Sequence, residues 1–93
     1  MSQRESAETM GLQAFSWLLG QENLVGVFLN ATGADQGQLA SLARDPVFLG
    51  AVLDFLLMDD AWVMAFCQSV SLPYTAPMQA RAVLPGGQSL HWT

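Results

Sequence analysis

The stretch that decides the fold runs from Pro46 to Met58, PVFLGAVLDFLLM. Asp45 stands where the free N–H groups of a first helical turn need an acceptor. Pro46 suits the first helical position, where its missing N–H costs nothing, and Asp59-Asp60 mark the start of the next element. At about 100° per residue, Phe48, Leu49, Val52, Leu53, Phe55, Leu56 and Leu57 cover more than half of the helix circumference, wider than the apolar stripe of a surface helix. Such a helix needs neighbours on several sides. The stretch therefore predicts a buried central helix over about 46–58, with the rest of the chain wrapped round it.

The flanking sequence supplies those neighbours. A first helix is expected to run to Leu19, capped by Ser2 with Glu5 or by Ser6 and stopped by a left-handed Gly20. Its broad apolar arc takes in Met10, Leu12, Ala14, Phe15, Trp17, Leu18 and Leu19, and residues 1–5 are expected to fray. A second helix spans about Gln21 to Ala31, with Leu24, Val27, Phe28 and Ala31 inward and Thr32-Gly33 as its end. Asp35 caps a short third helix with Leu39, Leu42 and Ala43 inward. After the central helix, Asp59 caps a fifth of about Asp60 to Val70, with Trp62, Val63, Phe66, Cys67 and Val70 on its core side. Thr75 caps a sixth, with Pro77 in its first turn and Ala76, Ala80, Val83 and Leu84 inward, and Pro85-Gly86-Gly87 ends it. Shifted by 38 positions, Leu24–Leu29 overlays Trp62–Cys67, a faint echo that any two amphipathic helices produce. The spacing is helical throughout and no alternating strand pattern occurs. The expected class is all-α, a compact bundle of five to six short helices in a single domain over 1–93, with a C-terminal tail from 86 to 93.

Composition narrows the function classes. The chain has 93 residues, 52% hydrophobic and 12% charged, so a small domain is given dense apolar material for its core. The net charge is −5 and lysine is absent, leaving Arg4, Arg44 and Arg81 as the cationic side chains. Nucleic-acid binding depends on Lys and Arg neutralising phosphates, and anionic membrane surfaces select the same residues, so neither partner is expected. A basic or neutral apolar protein surface remains compatible. The longest apolar run is too short to span a bilayer and is broken by Asp54. The opening MSQRESAET has no apolar core of the signal-peptide kind, and one cysteine cannot form an internal disulfide. The expected localisation is cytoplasmic.

Catalysis and metal binding need converging polar groups. His91 is the one histidine and stands near the C-terminus, while Cys67 lies on a core-facing position as a small hydrophobe, so no zinc site and no Cys-His pair is formed by spacing. Asp59-Asp60 read as helix-start carboxylates, and Gly86-Gly87 as a helix stop. No catalytic residue, metal ligand or cofactor is expected. Two features are left over. On the central helix Val47, Gly50, Ala51, Asp54 and Met58 fall into the gap of the apolar wheel. That gap is either a solvated edge, with Asp54 near Arg44 or Arg81, or a groove for a partner helix, with Asp54 pairing a partner cation and the outward Met64 and Met78 extending it. In the tail, Leu90, His91 and Trp92 either fold back over the core or serve as a recognition peptide.

The motifs Thr32-Gly33, Asp45-Pro46 through Leu57, Asp59-Asp60, Ala65-Phe66, Pro85-Gly86-Gly87 and His91-Trp92-Thr93 together resemble a small bacterial family catalogued only as a domain of unknown function. The resemblance departs at Ser71-Leu72-Pro73-Tyr74, where such proteins more often carry Gly-Leu-x-Pro. It implies an all-helical cytoplasmic protein and supplies no activity. The functional expectation is a non-enzymatic interaction module, with an unknown protein partner or a homodimer. The alternative is a small apolar-ligand or metabolite binder with a Phe- and Met-lined cavity between helices.

Overall fold

In the computed structural model, residues 3–84 are described, and the expectations for Leu90, His91, Trp92 and the Pro85-Gly86-Gly87 break lie outside them. The described elements are α1 Gln3–Leu19, α2 Glu22–Thr32, a 3-10 turn Gln36–Gln38 running into α3 Leu39–Leu42, α4 Pro46–Leu56, α5 Asp60–Val70 and α6 Ala76–Val83. No strand occurs among the described residues, and the all-α bundle expected from the sequence is the fold.

α4 is the central helix. Asp45 Oδ1 accepts from Val47 N–H at 3.0 Å, and Phe48, Leu49, Gly50, Val52, Leu53, Phe55 and Leu56 are buried. The helix stops two residues short of Met58, because its end tightens: Met58 N–H donates to Phe55 O at 3.2 Å and Asp59 N–H to Leu56 O at 3.4 Å. Asp59 Oδ1 then caps α5 by accepting from Ala61 N–H at 2.8 Å.

α1 and α6 pack against each other and against α4. The face that α1 presents is set by small residues. Ala7, Gly11 and Ala14 are buried with Phe15 and Leu18, and a Cβ built on Gly11 would stand 2.9 Å from Leu49 Cβ. That close backbone approach turns Leu12 and Leu19, expected in the apolar arc, out to 43% and 41% exposure. Helix is present from Gln3, with Arg4 Nε on Glu8 Oε2 at 3.2 Å and Thr9 Oγ1 donating to Glu5 O at 3.0 Å, and Ser6 lies within it rather than at its cap.

Gly20 is not the left-handed stop either. α1 closes with Gly20 N–H on Trp17 O and Gln21 N–H on Leu18 O, at 3.1 and 2.9 Å, which satisfies its last carbonyls without a positive φ. Among the described residues the left-handed ones are Gly33 (φ 71°), which ends α2, and Ser71 (φ 59°), which ends α5.

Phe28 fixes the rotation of α2. Its ring is fully buried, 6.1 Å from Phe15, 5.7 Å from Phe48 and 5.3 Å from Phe55, centroid to centroid. Burial is centred between Phe28 and Leu29, so Val27 and Ala31, expected inward, are exposed. On α5, Trp62 stacks on Phe55 at 5.0 Å and 19°, and Phe66 meets Trp17 in a T-shaped contact at 6.1 Å. α6 begins without the expected Thr75 side-chain cap: Thr75 already has helical backbone (φ −82°, ψ −13°), and Ala76 N–H donates to Pro73 O.

Candidate functional site

The outer face of α4 carries an exposed apolar strip. Val47 is 50% exposed and Met58 75%, and half-buried Ala51 and Asp54 lie between them. Along the helix Ala51 and Asp54 stay within about 40° of the direction of Val47, and Met58 lies just past the helix end, in the turn before α5. Gly50, expected in this line, is buried, because it lies about 60° round the wheel from Val47, toward the packed side.

Asp54 is engaged within its own chain. Arg81 of α6 donates from Nε to Asp54 Oδ1 at 2.6 Å and from Nη2 to Oδ2 at 3.1 Å, a two-pronged match of guanidinium and carboxylate. Its Nη1 donates to Leu84 O at 3.2 Å. The Arg81 side chain is 9% exposed and that of Asp54 38%, so one partner is sunk in the fold and the other edges into solvent. The pairing also answers the helix dipoles. Asp54 stands in the last turn of α4, where an anion is disfavoured, and Arg81 in the last turn of α6, where a cation is favoured.

α6 has two working edges. Ala76, Gln79, Ala80 and Val83 face Gln3, Ser6, Ala7 and Met10 of α1 across an open groove of about 460 Å³, while Arg81 faces α4. Met78, 58% exposed, lies one turn before Arg81 and about 60° round from it, on the flank away from α1. Met64 is 44% exposed but belongs to α5. A carboxylate stands at each end of the strip: Asp45 binds the backbone of Val47, and Asp59 and Asp60 follow Met58 directly.

Reactive chemistry is sparse in this geometry. Cys67 is buried, its Sγ lies 3.5 Å from Pro73 O, and burial pushes its thiol pKa up, which disfavours the nucleophilic thiolate. Among the described residues no group of three or more His, Cys, Asp or Glu is placed to hold a metal ion, and no helix is long and apolar enough to cross a membrane. Reading α6 from its apolar spacing passed over Arg81 as a buried residue. The available signal was Asp54 itself, a carboxylate near the C-terminal end of an almost wholly apolar helix in a chain with three arginines.

The fold and this surface define a small all-α bundle with one exposed face on its central helix, latched at the side by an interhelical ion pair. The chain belongs to the family described as protein of unknown function (DUF3572), which it matches over residues 4–87. No curated protein and no solved structure matches it.

Proposed function

We propose that this chain is a non-enzymatic protein-interaction module that docks through the outer strip of α4, with Val47 and Met58 as its anchors. The observation that carries the reading is the 50% exposure of Val47 on the outer face of an otherwise buried helix together with the 75% exposure of Met58 in the turn that follows it. Large apolar side chains gathered on one face, rather than scattered singly, mark interaction surfaces, and methionine suits a surface that adapts to its partner. The chemistry described above fits a binding role better than a catalytic one. Cytoplasmic residence, absence of nucleic-acid contact and a bacterial setting belong to the same reading, supported by the acidic, lysine-free composition and the motif pattern. The test is to put a charge on the strip. Met58→Glu and Val47→Glu, at exposed positions that leave the core intact, are expected to abolish co-purification of the partner from the native cell or to alter the solution mass. A chain whose partners and mass are unchanged by both overturns the proposal.

A second reading is favoured by the α1–α6 groove. Its size suits a small molecule, and its lining mixes apolar side chains with Ser6 and the carboxamides of Gln3 and Gln79, which fits an uncharged ligand with a few polar groups. A small uncharged metabolite that raises the Tm of the native chain, and fails to raise that of Gln79→Trp, supports it. A screen without any such shift counts against it.

A further inference from the structure

We infer that the groove between α1 and α6 is the seat of this chain's own segment 85–93, with Leu90 and Trp92 filling it. The inference is independent of the docking role proposed for α4. Ala7, Met10, Ala76, Ala80 and Val83 form the apolar lining of the groove, and the alanines among them make it hollow. Small residues facing one another across a helix seam leave a trough that neither helix fills, and the lining then lacks contact partners. The trough follows α1 from Gln3 to Met10 and α6 from Ala76 to Val83, roughly 10 Å along each helix.

The chain leaves α6 beside this trough. Val83 lines it, and the next residue, Leu84, has already turned to extended backbone (φ −80°, ψ 149°). Leu84 is buried and its carbonyl accepts from Arg81 Nη1 at 3.2 Å, so the point of departure is fixed. Gly86-Gly87 supply the conformational freedom for a reversal, and Gln88 to Thr93, at about 3.3 Å per residue, reach roughly 20 Å, more than the trough needs. In an extended segment Leu90 and Trp92 point to one side, about 7 Å apart, and His91 to the other. The chemistry of the two surfaces agrees. Among the described residues no charged side chain lines the groove, and segment 85–93 contains no Asp, Glu, Lys or Arg in a chain of net charge −5, so seating it buries no ion. Met10 offers a thioether to the indole, and the carboxamides of Gln3 and Gln79 offer acceptors for its N–H. Attachment decides between this occupant and a free one, because a segment on a short tether competes at an effective concentration in the mM range. The small ligand of the second reading would have to displace it.

The experiment uses the full chain. Nuclear Overhauser contacts from the Trp92 indole to the methyl groups of Ala7, Ala80 and Val83 are expected. Trp92→Ser is expected to lower Tm by roughly 4–8 °C, Leu90→Ser to act in the same direction, and His91→Ser to leave it within about 2 °C. Gln79→Trp, at an exposed position on the rim, fills the groove from within α6. It is expected to remove the indole contacts and to make Trp92→Ser nearly silent in Tm, since both substitutions then act on one packing site. Indole contacts that are missing, or that fall on Val47 and Ala51 instead, overturn the inference. A Tm unaffected by Trp92→Ser, or lowered equally by it in the Gln79→Trp background, does the same. Contacts found only between differently labelled copies in a mixed sample, with the solution mass of a dimer, overturn seating within one chain. A metabolite that raises Tm and leaves the indole contacts intact also counts against it, whereas one that displaces them supports it. Each of these failures leaves the α4 docking role standing.

Discussion

Arg81 brings a charge into a buried position, and what it touches accounts for its being there: both oxygens of Asp54 on α4 and the carbonyl of Leu84 at the end of its own helix. Removing one member leaves the other unmatched. Arg81→Ala is expected to lower stability by about 1–2 kcal/mol, discounted from the cost of breaking a fully buried pair because Asp54 is 38% exposed to screening solvent. In a domain of this length that is a fall in Tm of roughly 5–15 °C, read by thermal denaturation. The double variant Asp54→Leu with Arg81→Met is expected to lose less than Arg81→Ala, because it removes the charges together and keeps apolar volume. Cys67 gives a prediction of opposite kind. Its thiol pKa is raised by burial, so the folded state favours the neutral form. The associated stability is complete below the ordinary thiol pKa and is lost as pH rises above it, where the unfolded chain deprotonates first. The native chain is expected to lose more stability between pH 7 and pH 10 than Cys67→Ala does, measured as denaturant midpoints.

Two helical glycines separate the effects of packing and propensity at the scale of the element. Gly11 lies where α1 meets α4, and a Cβ there would stand 2.9 Å from Leu49 Cβ, a carbon fixed to the α4 backbone. Gly11→Ala is expected to destabilise by about 1–3 kcal/mol through overpacking, although alanine is the better helix former. Gly26 is exposed in the middle of α2 with nothing within 4 Å of its added Cβ. Gly26→Ala is expected to stabilise by about 0.5–1 kcal/mol. Denaturant midpoints of opposite sign for the two variants are the check. The end of α5 makes a further case. Ser71 has φ 59° and Leu72 N–H closes on Cys67 O at 2.9 Å, a helix stop that favours glycine. Ser71→Gly is expected to raise stability by about 0.5–1 kcal/mol, and the position is the one where the chain departs from the Gly-Leu-x-Pro of the pattern it resembles.

For the whole molecule, the core is a connected set of rings. Phe15, Phe28, Phe48 and Phe55 lie within 6.1 Å of their neighbours, drawn from α1, α2 and α4, and Trp62 of α5 stacks on the last of them. Phe28 has no exposed surface, so Phe28→Ala is expected to cost about 3–5 kcal/mol, a large share of the stability of a small domain. Its readout is the loss of cooperative unfolding followed by tryptophan fluorescence. The outer charge of −5, free of lysine, shapes what the molecule can approach rather than how it folds.

The sequence by itself determined the helices, their caps at Asp45 and Asp59, and the burial of α4, because these depend on local hydrogen bonding and on the period at which apolar residues recur. It determined the acidic, lysine-free surface as well. The rotation of each helix about its own axis was decided only by the tertiary structure. Val27, Leu12 and Leu19 are as apolar as their buried neighbours, and they lie outside because the Phe28 ring and the Gly11–Leu49 approach had already set which side faces in. The same holds for the site. The α4 wheel gave Val47, Ala51, Asp54 and Met58 as one line, but packing buried Gly50 and brought Arg81 from 27 positions away to hold Asp54. A wheel records the directions available to one helix, and which of them close is fixed by the volumes and charges of the helices that meet it.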